Sequence, residues 1–334
     1  MRARFGFSTK SEYPPARWTA LVRQVEAAGF SSLWVADERL YRNVYAALTL
    51  AATHSGRLRL GTAVTNPYVR PPAVTAAAIA SVDEVSGGRT VLGIGAGGSA
   101  TAAVGLGRPR PARALREAIG IINGLTAGQR VDMAGELFSF AGSLDFTPLR
   151  RVPVWLAARG PRLLELGGEL ADGVIVGGFV SEAALRFARA HIAAGARRAG
   201  RDPAAVPTVA WIYAAAHPDR AVAHRAVGFL VALSIMASRP VLAEIGVRLP
   251  PALTEYVTAH EWRMHKDVVA GAAAHLSEGL IRDFSVAGPH EECVERLREL
   301  AASGFEELAL LVHPTDGQRI EEALGTWQAI MEKV

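Results

Sequence analysis

From Arg57 to Ala100 the chain reads RLRLGTAVTNPYVRPPAVTAAAIASVDEVSGGRTVLGIGAGGSA, and no other stretch restricts the possible folds as much. Leu58 to Val64 is a short apolar run that stops at Thr65-Asn66-Pro67. Pro71 and Pro72 open a helix, where proline loses nothing, because first-turn amides have no helical acceptor. That helix turns Ala76, Ala77, Ile79, Ala80 and Val82 toward a core. It stops at Ser86-Gly87-Gly88, whose glycines can take the left-handed cap. Val91 to Ile94 forms the next strand and empties into Gly95-Ala96-Gly97-Gly98. Two parallel strands joined by one helix make a βαβ unit. Both strands end in unusual loops at the C-terminal end, where such sheets build their sites.

The rest of the chain repeats this alternation. Strands are expected at Arg4–Ser8, Ser32–Ala36, Val152–Ala157, Gly173–Val176, Val206–Ala214 and Glu307–Val312. Helices are expected at 15–28, with Trp18, Leu21, Val22 and Val25 at helical spacing, and at 44–52, 112–125, 161–170, 181–199 and 318–331. Eight strands alternating with helices predict an α/β fold closed into a (β/α)8 TIM barrel. Apolar strands without polar alternation suit a sheet buried on both faces. Two segments break the rhythm. Gln129 to Phe146 reads as a hairpin inserted after the fourth helix. Asp219 to Ser285 is too long for one crossover and reads as a helical insertion after strand seven, a lid over the mouth of a single domain spanning 1–334.

Half of the 334 residues are hydrophobic, enough for a large core. The net charge of +4 comes from scattered arginines, with no basic stripe interleaved with aromatics, so no nucleic-acid partner is expected. No uncharged run reaches the roughly 18 residues that span a bilayer. No signal-peptide core follows the first residues, so no membrane partner and a cytoplasmic location are expected. The lone Cys293 excludes an internal disulfide framework, and His260, His265 and His275 do not share a helical face, so no metal site is expected.

The opening run, together with AGFSSLWVADE before it and PVWLAARGPRLLELGGELADGVIVGG and IRDFSVAGPHEECVERLREL after it, resembles the luciferase-like monooxygenase superfamily. Within it, the chain is similar to the branch of coenzyme F420-dependent methylenetetrahydromethanopterin reductases. The resemblance implies hydride transfer between C5 of the deazaflavin and a small-molecule organic substrate. FMN is the alternative cofactor, for a luciferase-like monooxygenase, and Thr65-Asn66-Pro67-Tyr68 favours F420. A barrel that binds cofactor without catalysis, or serves as a partner subunit, is the second alternative. Members commonly carry Asp-His where this chain has Asp37-Glu38, and that departure keeps this alternative open.

The resemblance also implies roles for particular residues. Asp37 would bond the polar edge of the ring and Glu38 would face the substrate; a carboxylate beside an apolar pocket can serve as a proton donor. Ala63-Val64 would be a non-prolyl cis peptide behind the ring, bending it so that C5 is presented, with Thr65 beside it and Asn66 donating to the ring. Gly95 and Gly97 would form a small-residue wall that lets a ring approach. Ala157, Ala158, Arg159 and Gly160 lead into a helix whose free N-terminal amides suit phosphate, with Gly177 and Gly178 closing the site. His313, ending the last strand, would touch cofactor or product. The alanine-rich helices 44–52 and 74–85 are expected to pair across a homodimer.

Overall fold

The structure, a computed structural model, describes residues 3–38 and 40–334, Ser99 by its backbone alone. In chain order the elements are β1 (Phe5–Lys10), α1 (Pro15–Ala27), β2 (Ser32–Ala36), α2 (Val44–His54), β3 (Arg59–Thr62), α3 (Pro72–Ser86), β4 (Thr90–Ile94), α4 (Ser99–Ala103) and α5 (Pro111–Thr126). There follow β5 (Val131–Ala134), β6 (Ser139–Gly142), β7 (Val154–Ala158), α6 (Pro161–Leu170), β8 (Gly173–Gly177), α7 (Glu182–Arg198), β9 (Thr208–Ala216) and α8 (Arg220–Ala237). The chain ends with α9 (Pro251–Ala259), α10 (Lys266–Ala273), α11 (Glu278–Phe284), β10 (Ser285–Gly288), α12 (His290–Ala302), β11 (Glu307–Val312) and α13 (Ile320–Met331).

Strands β1, β2, β3, β4, β7, β8, β9 and β11 pair in parallel in that order, and β11 returns to β1 to close the barrel. These are the eight strands expected from the sequence, displaced by a residue or two at their ends. The antiparallel hairpin β5–β6 follows α5, as expected. One strand was not expected. Ser285–Gly288, which begins at the last residue of the expected helical insertion, pairs with Tyr213–Ala216 of β9, above the point where β8 stops pairing at Trp211. The long β9 would otherwise leave a bare edge there. Four small residues carry no readable period, and their partner lies far away in sequence.

Side-chain alternation sorts the barrel into two cores. The lumen holds Trp34, Val91, Trp155, Ile175, Val209 and Ala309. Glycines make room for the two tryptophans. A Cβ at Gly61 would lie 2.3 Å from the Trp34 ring, and one at Gly173 would lie 2.6 Å from that of Trp155. At the lumen floor, buried Glu307 accepts from Ser32 Oγ (2.7 Å), Trp34 Nε1 (2.7 Å) and Arg59 (2.8 Å). These donors offset the cost of a charge held away from water.

The outer core joins strands to helices. Trp18, Leu21, Val22 and Val25 of α1 are all buried there. On α3 the expectation needs a correction: Ala76, Ile79, Ala80 and Val82 are buried, but Ala77 is only half-buried, because it flanks the stripe facing α2 and α5. Gly87 takes the left-handed cap at φ 66°. Helix α8 is long and apolar enough by composition to cross a membrane, yet Val227, Val231 and Ile235 are buried and the helix packs on β9, β10, α10 and α11.

Candidate active site

The C-terminal ends of the barrel strands build the mouth, and its least regular part is the end of β3. Thr62 Oγ1 donates to Gly93 O (2.7 Å). Ala63 N–H then donates to Val35 O of β2 (2.7 Å), and Thr65 N–H to Gly93 O of β4 (2.9 Å). Between these two bonds the Ala63–Val64 peptide is cis. Gly95 N–H donates to Thr65 O (2.9 Å), so pairing with β4 resumes past the bulge. Val64 leans on β4. A Cβ on Gly95 would lie 2.9 Å from Val64 Cγ2. The small residue at 95, expected to form a wall for a ring, therefore also accommodates the bulge. Gly97, at φ 71°, turns the loop beside Thr101 and Asn66.

Asp37 and Glu38 follow β2, and the structure separates them from the start. Asp37 lies against Arg70 in a bidentate ion pair, its Oδ1 3.2 Å from one guanidinium nitrogen. Its Oδ2 also accepts from Thr65 Oγ1 (2.7 Å). Arg70 in turn lies over the ring of Tyr45, 5.2 Å from its centroid. Burial, then the charge of Asp37, pushes the Tyr45 hydroxyl up to about 12. Both oxygens of Asp37, expected to bond the polar edge of a ring, also anchor the β3 loop. Neither carboxylate caps α2, because Asn43 does, accepting from Tyr45 N–H (2.9 Å). Glu38 is half-buried.

Thr65 and Asn66 are buried. Asn66 Oδ1 accepts from the N–H groups of Tyr68 (3.1 Å) and Val69 (3.0 Å), which leaves its NH2 end as the part that could serve a ligand. Tyr68 Oη donates to Pro109 O (3.0 Å) and its ring packs on Phe138, which fastens this loop to the β5–β6 hairpin. Glu117 holds the hairpin, accepting at 3.0 Å from the N–H groups of Glu136, Leu137 and Phe138.

Across the mouth, α6 begins at Pro161, and its first bond runs from Leu164 N–H to Gly160 O (3.0 Å). The amides of Arg162 and Leu163 therefore have no helical acceptor, a geometry that suits an anion. Ala157 belongs to the lumen, whereas Ala158 packs into the outer core and offers the mouth only its backbone. Arg159 Nε donates to Gly177 O (3.1 Å), and its guanidinium reaches Tyr213 Oη (3.4 Å). Gly178, at φ 78°, has no space for a Cβ: it would stand 2.1 Å from Ser234 Oγ of α8. Ser234 Oγ donates to Gly178 O (2.8 Å), so α8 is docked directly onto the β8 loop.

His313 stays in the sheet through its N–H bond to Ala214 O (2.8 Å). Its Nε2 is shielded from water and has no hydrogen-bond partner. Burial, with Lys10 nearby, pushes its imidazole down to about 4. Ser8, on the inward face of β1, has an equally orphaned Oγ. Sequence reasoning passed over Ser8, Lys10, Arg70, Tyr213 and Ser234. For Ser8 a signal existed: Gly6 and Ser8 alternate with Phe5 and Phe7. Arg70, Tyr213 and Ser234 gain meaning only from distant partners. In the helical insertion, His260 and His275 both pack on the ring of Tyr256, and Arg239 lies over Trp262. Cys293 is buried, as a core residue would be.

Comparison with known proteins places this arrangement. Residues 2–307 match the family model described as luciferase-like monooxygenase. The chain is 36% identical over 292 residues to a 5,10-methylenetetrahydromethanopterin reductase of Archaeoglobus fulgidus, covering 85% of each chain. It is 33% identical to the enzyme of the same name from Methanolobus tindarius, covering 91% of this chain and 92% of the other. The solved coenzyme F420 dependent tetrahydromethanopterin reductase from Methanopyrus kandleri superposes with a TM-score of 0.84 at 27% identity, over 98% of both chains.

Proposed function

The chain belongs to the luciferase-like monooxygenase family, and on that premise we propose that it is an F420-dependent oxidoreductase, a reductase acting on a small organic molecule. The observation that carries this reading is identity of 36% over 85% of both chains with a reductase, joined to the structural likeness to a coenzyme F420 dependent enzyme.

The residues of the mouth fit such a cofactor. The free amides of Arg162 and Leu163, with Arg159 and Gly160 beside them, suit its phosphate. Gly177 and Gly178 close that end, and Arg159 adds a charge suited to an acidic tail. Ala63 and Val64 offer a backbone platform for the ring, Thr65 and Asn66 border it, and Gly95 and Gly97 hold the loop opposite. When bound, the deazaflavin supplies two electrons as a hydride, and the protein supplies placement and electrostatics. Asp37 keeps the platform in place through Thr65 and Arg70. Glu38 orients the substrate or moves a proton at its reacting atom. The insertion over 219–285 covers the mouth and excludes water. The protein works without nucleic acid or membrane, as a cytoplasmic homodimer.

Titration with F420 and with FMN, each followed by fluorescence quenching, tests the reading. F420 is expected to bind more tightly. Equal or tighter binding of FMN overturns it in favour of a monooxygenase.

A further inference from the structure

Two polar atoms in the barrel mouth are buried with no hydrogen-bond partner, Ser8 Oγ and His313 Nε2. Both lie on one wall. The parallel register of β1 and β11 sets Ser8 beside Leu311, and continuing it two residues sets Lys10 beside His313. Gly6 and Glu307 point into the lumen, so alternation points Ser8, Lys10, Leu311 and His313 the same way. The Lys10 ammonium lies 5.7 Å from the ring centre of Tyr41 and makes no salt bridge with any described residue. An orphaned buried hydroxyl and imidazole cost stability unless something completes them. Among the described residues no group hydrogen-bonds to either atom, whereas Arg159 and the α6 amides stand on the opposite side, just past the end of β7.

We propose that Ser8, Lys10 and His313 form a subsite for a carboxylate carried by the substrate. The proposal rests on the reading above that substrate enters this mouth. One cation with two neutral hydrogen-bonding groups balances a single negative charge, which fits a carboxylate better than a phosphate dianion. The Lys10 ammonium carries the charge, while the Ser8 hydroxyl and a His313 ring N–H donate to the two oxygens. Leu311, level with Ser8, offers an apolar surface to the adjoining carbon atoms.

Benzoate and phenyl phosphate serve as probes, titrated by calorimetry into the cofactor-free protein and into protein saturated with F420. Benzoate is expected to bind the wild type and to weaken at least tenfold in Lys10→Met and several-fold in Ser8→Ala. Lys10→Gln and circular dichroism guard against a folding defect. F420 affinity, measured in the same variants, is expected to stay within twofold. The proposal is overturned if benzoate does not bind, if its binding ignores both variants, or if phenyl phosphate binds tenfold more tightly. Loss of F420 affinity in Lys10→Met, with benzoate binding unchanged, also overturns it by assigning this wall to the cofactor. If the wild type does not bind F420, the functional reading fails while the benzoate series on cofactor-free protein still decides the subsite.

Discussion

Val64 Cγ2 fills the space that a side chain on Gly95 would need: a Cβ built there stands 2.9 Å away. The glycine after β4 and the bulge after β3 are thus one steric unit. Gly95→Ala must push Val64 toward the mouth, at a cost of about 1–3 kcal/mol where packing is tight. We expect F420 affinity to fall about tenfold or more with the far-ultraviolet circular dichroism unchanged. Wild-type affinity in the folded variant would separate the bulge from cofactor binding.

Glu38 follows an inward-facing strand end, and its isosteric amide removes the proton without changing the shape. Glu38→Gln is expected to lower kcat by roughly 10²-fold or more while cofactor affinity stays nearly constant. Steady-state kinetics beside a cofactor titration check this. Weaker cofactor binding with unchanged turnover per bound cofactor would place Glu38 in the binding shell.

Glu117 ties the β5–β6 hairpin to α5. Burial alone would push its carboxyl up, but N–H bonds from Leu137, Phe138 and Glu136 outweigh burial and hold it below the ordinary glutamate range. A lowered folded value means that the unfolded chain takes up the proton first as pH falls. The stabilisation is therefore complete above the ordinary carboxylate range and lost as pH drops through the folded value. Glu117→Gln should cost about 2 kcal/mol at neutral pH, the scale of hydrogen bonds to a charged group. In urea titrations from pH 7 down to pH 3, the gap between variant and wild type should shrink toward the acid end. A constant gap would contradict the role of the charge.

The outer face of α3 carries Val74 and Val85, each about half exposed, with half-buried Ala77 and Ala78 between them. Such a stripe, continued by the partly buried Leu50 of α2, suits a two-fold contact between copies of this chain. Light scattering is expected to give about twice the 35.4 kDa chain mass. A mass near that of one chain refutes the dimer. Ala77→Arg or Ala78→Arg should release monomers, and a dimer that survives both uses another face.

The barrel itself was legible in the sequence because its signals are local. Apolar runs, proline at helix starts and glycine at helix ends each constrain a few neighbouring residues, and α1 buries the four positions that its spacing selects. The family resemblance extended this reach to the Ala63–Val64 cis peptide, which no local pattern specifies. What the chain could not reveal alone depends on partners distant in sequence. That Asp37 is tied to Arg70 and Thr65 shows only in the folded chain. The packing of Val64 against Gly95 likewise needs the two strand ends side by side. Ser285–Gly288 becomes a strand only because β9 runs past β8 and leaves an edge to pair. Ser8 and His313 share a wall only through the register of β1 on β11. Local sequence set the elements and the end of the barrel where a site forms, because backbone preference and apolar period act over a few residues. The tertiary structure decided which polar groups are satisfied and which are left facing the mouth, because that depends on closing the barrel.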